Sequence, residues 1–210
     1  MSFEASCPSC GAKVLFQSTM SAVAICEYCK STLVRHDVDL ENVGKMADLK
    51  VDGSALQLGA SGKYGGVHFA VAGRIQYVFD RGLWNEWYLL FDDMRGGWLG
   101  EARGNYAVSF LTEVTEPIPP FAELEPAKMI RIAGQIYQVE DLQQAYCIAG
   151  EGELPFRVGA GYKAPVADLQ GPGRTFATLD YSEDKPLVFL GEYVEFAELG
   201  LSNLRAFDGW

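Results

Sequence analysis

At 210 residues, 49% of them hydrophobic, the chain suits one large domain or two small ones with a terminal module. Seventeen Lys and Arg against 28 Asp and Glu leave a formal charge of −11, which argues against nucleic acid as a partner, because that affinity rests on cations that neutralise phosphates. No apolar run reaches the roughly 18 residues of a transmembrane segment, and MSFEASCPSC has neither the basic nor the apolar region of a secretory signal, so the chain reads as cytoplasmic.

The first element, residues 1–35, holds two Cys-x-x-Cys pairs, Cys7/Cys10 and Cys26/Cys29, with fifteen residues between them. That gap is the length of a hairpin that returns the second pair to complete a tetrahedron, the spacing of a zinc ribbon. KVLFQ and SAVAIC are its expected strands, and Gly11 lets the backbone turn around the metal without a Cβ clash. In a reducing compartment such pairs favour metal over disulfides. Four thiolates leave zinc no open position, so the metal is expected to be structural. The same sulfur set also suits iron in a rubredoxin-like site, which the spacing does not exclude.

Residues 36–54 form a polar connector. Its apolar positions Val38, Leu40, Val43, Met46 and Leu49 suit a short helix, weakened by Gly44 in the middle. Residues 55–112 then read as a first β half. VHFAVAGRIQYVF and LWNEWYLLF are rich in β-branched and aromatic residues, and GGWLGEA and NYAVSFL follow after glycine-containing turns. In LWNEWYLLF, alternation puts Trp87 and Leu89 on one face and Trp84, Glu86 and Tyr88 on the other. Large groups on both faces suit a strand buried on two sides, or one face kept for a partner.

Residues 113–126 carry four of the nine prolines and four glutamates, and read as a linker. Residues 127–210 resume the β pattern as a second half. AGRI at 72–75 returns as AGQI at 133–136, and WLGE at 98–101 as FLGE at 189–192, so the halves are candidates for a repeat. The fold class expected is mainly β: an N-terminal zinc ribbon followed by an antiparallel β-sandwich or small barrel in two related halves.

Motifs for catalysis are weak. GASGKYGG at 59–66 lacks the spacing, the Ser or Thr, and the following helix of a phosphate loop, and GAGYKA at 159–164 runs into Pro165 instead of a helix. His36 and His68 stand without partners of a triad, and Cys147 sits in apolar AYCIAG as a core thiol. The chain therefore reads more as a non-enzyme than an enzyme.

CPSCGA, CEYCKSTL, WNEWYLLFDD, WLGEARGNY and GELPF together resemble the bacterial family of domain of unknown function 4178, in the form with an amino-terminal zinc ribbon. The resemblance supplies no reaction. It implies an accessory role in a polyamine- or envelope-linked system, since such proteins are encoded near spermidine-synthase-like enzymes and small membrane proteins.

Two functional readings follow. The first is an intracellular binding or adaptor protein with a protein partner, a membrane protein among the candidates, in which Trp84, Glu86, Trp87, Tyr88 and Trp98 form a contact surface. The alternative is a small-molecule binder, or an enzyme of unknown reaction, whose β region encloses a pocket. There Glu86, Glu101 or Glu153 would meet a cationic ligand such as a polyamine. A concave cavity with converging carboxylates favours the second, and a flat exposed tryptophan cluster the first.

Overall fold

The computed structural model describes residues 3–36, 39–79, 82–157 and 163–206. No α-helix occurs among them, and the described residues form fifteen strands. Five belong to the N-terminal part: β1 (Phe3–Ser6), β2 (Lys13–Phe16), β3 (Val23–Ile25), β4 (Ser31–His36) and β5 (Asp39–Lys45). Five more make the first half: β6 (Ser61–Tyr64), β7 (Val67–Phe79), β8 (Gly82–Phe91), β9 (Gly96–Ala102) and β10 (Asn105–Leu111). The second half has β11 (Met129–Ile132), β12 (Gln135–Leu154), β13 (Lys163–Gln170), β14 (Thr175–Asp180) and β15 (Leu187–Val194).

Each half is a meander of four long antiparallel strands, β7 to β10 and β12 to β15. The last strands join, β10 against β15, and so do the first, β7 against β12. The eight strands therefore close into a small antiparallel barrel, which leaves no free edge between the halves. Each meander is preceded by a short hairpin, β6–β7 or β11–β12. Both hairpin turns have positive φ at both central residues, Gly65 (58°) and Gly66 (81°) in one, Ala133 (47°) and Gly134 (78°) in the other. That is the left-handed two-residue turn whose twist matches its strands. The halves thus share a strand plan, although the repeated fragments do not mark it. AGRI lies inside β7 while AGQI spans the β11–β12 turn, and WLGE lies in β9 while FLGE lies in β15.

The barrel has a lumen and an outer coat, and this explains the two-sided burial of β8. Trp87, Leu89 and Phe91 face outward into a core with Leu56, Val71 and Leu199, so segments before β6 and after β15 cover the first half. Around the second half, Leu169, Ala177, Leu179 and Val188 face outward and are covered by Ile118, Phe121 and Leu124. Residues 113–126 are therefore packed cladding with a short 3-10 turn at Phe121–Glu123, and Tyr181 OH donates to Pro119 O at 2.8 Å. Prolines suit this segment because it runs outside the ladder and needs few N–H donors.

The connector is also extended, not helical. β5 pairs antiparallel with β4, with a register shift opposite Gly44, whose φ is 140°. Pairing with β4 satisfies the backbone that a helix would have satisfied internally, and Val38, one of the proposed helix positions, lies outside the described residues. The ribbon sheet continues into the barrel, because β3 pairs with the end of β12 at Ile25↔Gly152, Ala24↔Glu153 and Val23↔Leu154. Val23, Ile25 and Val34 share one core with Ile75, Tyr88 and Trp98 of the barrel interior.

Candidate functional site

The N-terminal cysteines come from two turns built alike. Gly11 N–H donates to Cys7 O at 2.8 Å, and Lys30 N–H donates to Cys26 O at 2.9 Å. Gly11 (φ 76°) and Lys30 (φ 58°) both take the left-handed conformation that closes such a knuckle. The four Sγ atoms lie within 4.8 Å of one another, with Cys7–Cys29 and Cys10–Cys26 both at 3.7 Å. A metal at about 2.3 Å from each sulfur of a tetrahedron sets the sulfurs about 3.8 Å apart, so the arrangement fits a bound ion. Ser31, whose Oγ lies 3.2 Å from Cys29 Sγ, lowers the Cys29 thiol through its hydroxyl and its amide, while Cys10, against a hydrogen bond with the Ala12 backbone, is raised by burial and by the three other thiols, so the four sulfurs titrate as one set. Phe16, Leu33 and Ala24 pack beneath Cys7 and Cys26, a small core of the kind that relies on such a staple.

The second site is the barrel lumen, which encloses a cavity of about 320 Å³. Strand alternation supplies its walls. Ile75 and Tyr77 come from β7, Trp84 and Glu86 from β8, Trp98 and Gly100 from β9, and Asp168 and Val166 from β13. Three aromatic pairs line it: Tyr77 and Trp84 stacked at 5.0 Å, Trp98 and Phe156 at 5.6 Å, Phe176 and Tyr193 at 5.1 Å. Gly100 leaves room on the wall beside Glu86, since a Cβ there would stand 3.7 Å from Glu86 Oε1 and 3.8 Å from Oε2.

The lumen carries carboxylates and, among the described residues that line it, no Lys, Arg or His. Glu86 Oε1 accepts from Trp84 Nε1 at 2.9 Å. Asp168 accepts from Thr178 Oγ1 at 2.7 Å and from Gln143 Nε2 at 3.1 Å. Both side chains are half-buried, and both line the cavity. Burial pushes Glu86 up to about 7, against the Trp84 hydrogen bond and reinforced by the charge of Asp168. Burial likewise pushes Asp168 up to about 6, with Thr178 and Gln143 opposing and Asp141 reinforcing it. Among the described residues neither carboxylate forms an ion pair.

The sequence-predicted residues divide between lumen and coat. Trp84, Glu86 and Trp98 line the cavity together. Tyr88 shares their face but is buried beneath them against Trp98, with ring centroids 5.2 Å apart. Trp87 is wholly buried in the coat, with Arg74 stacked 4.5 Å over its ring. Glu101 touches the cavity, yet its carboxylate is held by Ser54 Oγ at 2.6 Å, Trp87 Nε1 at 2.9 Å and Asn85 Nδ2 at 3.1 Å. Glu153 lies outside the cavity, where its Oε1 accepts the Gln17 N–H at 2.8 Å. Cys147 is buried, and burial raises its thiol to about 11, as suits an inert core position. GASGKYGG forms a turn, β6 and the first hairpin turn, while residues 159–162 of GAGYKA lie outside the described residues.

Residues 57–196 match the family model described as Domain of unknown function (DUF4178). The chain belongs to this family. The matched span covers the barrel with its lumen, and the four-cysteine cluster lies ahead of it, compatible with the zinc-ribbon form of DUF4178. No curated protein and no solved structure matches the chain. No helix among the described residues is long and apolar enough to cross a membrane.

Proposed function

We propose that this DUF4178 protein binds a small molecule in its barrel lumen and uses a zinc ion on Cys7, Cys10, Cys26 and Cys29 only to hold the ribbon together. The observation that carries this reading is a cavity of about 320 Å³ in a closed eight-stranded barrel, walled by three aromatic pairs. That volume lies at the lower end of the roughly 300–1,000 Å³ of ligand pockets, and barrels of eight strands commonly hold one small ligand. An adaptor would need its tryptophans outside, whereas Trp87 is 0% and Trp98 7% exposed. Zinc is favoured by four thiolates in a ribbon whose sulfur spacing suits a tetrahedral ion, and reduced thiols of this kind suit the cytoplasm.

A neutral fluorescent probe, N-phenyl-1-naphthylamine, should brighten on entering the lumen. Gly100→Leu, which sends a side chain into the cavity, should abolish that signal while leaving the melting temperature within a few degrees. Probe emission unchanged by Gly100→Leu would count against the lumen as the binding site.

A further inference from the structure

We propose that the ligand of the lumen is an organic cation, an ammonium group on an apolar stem, with the ammonium held by Glu86 and Asp168. This rests on the reading of the lumen as a binding site, and it names the chemistry of what enters. Two half-buried carboxylates share a cavity without a cationic side chain among the described residues that line it. Buried charges of one sign are ordinarily paired or neutralised, because a lone carboxylate loses its hydration on leaving water. Here the partners are neutral donors only: an indole N–H for Glu86, a hydroxyl and an amide for Asp168. Those donors orient the carboxylates without cancelling their charge.

The walls add a second, independent match. The faces of aromatic rings attract cations, and Trp84, Tyr77, Trp98 and Tyr193 all line the same space. An anionic ligand would meet like charge on β8 and β13 at once. A neutral apolar ligand would leave both acids to be neutralised by protonation instead. A protonated amine satisfies the acids with its N–H donors and the rings with its stem, so it alone uses every class of group on the wall.

The test is a series with one stem and three heads, hexylamine, hexanol and hexanoate, titrated into the full chain and read by calorimetry and by emission of the lumen tryptophans. Hexylamine is expected to bind at least tenfold more tightly than hexanol, with hexanoate weakest. Glu86→Gln and Asp168→Asn should each weaken hexylamine tenfold or more and leave hexanol within twofold. Both variants remove a charge and keep the side-chain shape, so they are expected to fold. Gly100→Leu should remove all binding and so places the events in the lumen. Hexanol binding as tightly as hexylamine, with Glu86→Gln and Asp168→Asn without effect, would overturn the cation assignment while the lumen remains a binding site. If none of the three heads nor the neutral naphthylamine probe binds, the binding reading itself is overturned.

Discussion

Glu86 shows how a single side chain couples this fold to pH. Its carboxyl is raised from 4.5 to about 7, so the folded protein holds the proton more tightly than the unfolded chain does. Below about pH 4.5 both states are protonated and the group is neutral toward stability. Between there and pH 7 stability falls as pH rises, by about 1.4 kcal/mol per unit, to a total on the order of 3 kcal/mol. Above pH 7 the loss is constant. Glu86→Gln should therefore match the wild type in urea unfolding at pH 4 and exceed it at pH 8. Denaturation curves that stay together at both pH values would show that burial does not raise this carboxyl. Alternation along LWNEWYLLF was enough to place Glu86 beside Trp84 in the sequence. Asp168 was not legible in the same way, because Pro165 interrupts its strand and the apolar residues around it face the coat while the acid faces the lumen.

Among the elements, β12 carries the closure. It is 20 residues long and pairs with β11, β13, β7 and β3. Its contact with β7 requires glycine at 73, where an added Cβ would stand 1.8 Å from the Glu153 carbonyl oxygen. Gly73→Ala must part the two strands, and should cost about 3 kcal/mol or more, at the upper end of overpacking effects, in a chemical denaturation experiment. The second hairpin offers the opposite change. Ala133 holds a φ of 47°, which costs a non-glycine residue about 1 kcal/mol, and Ala133→Gly should recover part of that in the same measurement. Strands with bulky alternating residues, β7 to β10, were legible at nearly their observed bounds. β13 and β14 were not singled out in the sequence, since one holds a proline and the other is short, and the connector helix failed because a spacing of apolar residues says nothing of the neighbouring strand β4 that pairs with it.

At the scale of the whole molecule the four-cysteine cluster and the lumen are mechanically joined. Val23 and Ile25 of β3 pack in one core with Tyr88 and Trp98, and β3 hydrogen-bonds to β12 beside Glu153. Chelation or Cys26→Ser should therefore do more than unfold the ribbon: it should also shift the emission of Trp98 to the red and weaken binding of the lumen probe. Unaltered Trp98 emission in metal-stripped protein would show that the barrel stands without the ribbon. The cysteine spacing made the ribbon legible as a unit, but no local pattern could reveal that its sheet is completed by residues more than a hundred positions later. That pairing also orders events during synthesis. The ribbon can gather its cysteines as soon as residue 29 emerges, whereas the outer edge of β3 finds its neighbour only when residues 152–154 leave the ribosome. Until then the nascent chain presents an open strand edge and a half-built wall, so a ribosome stalled within the second half would release a species prone to pairing with another copy.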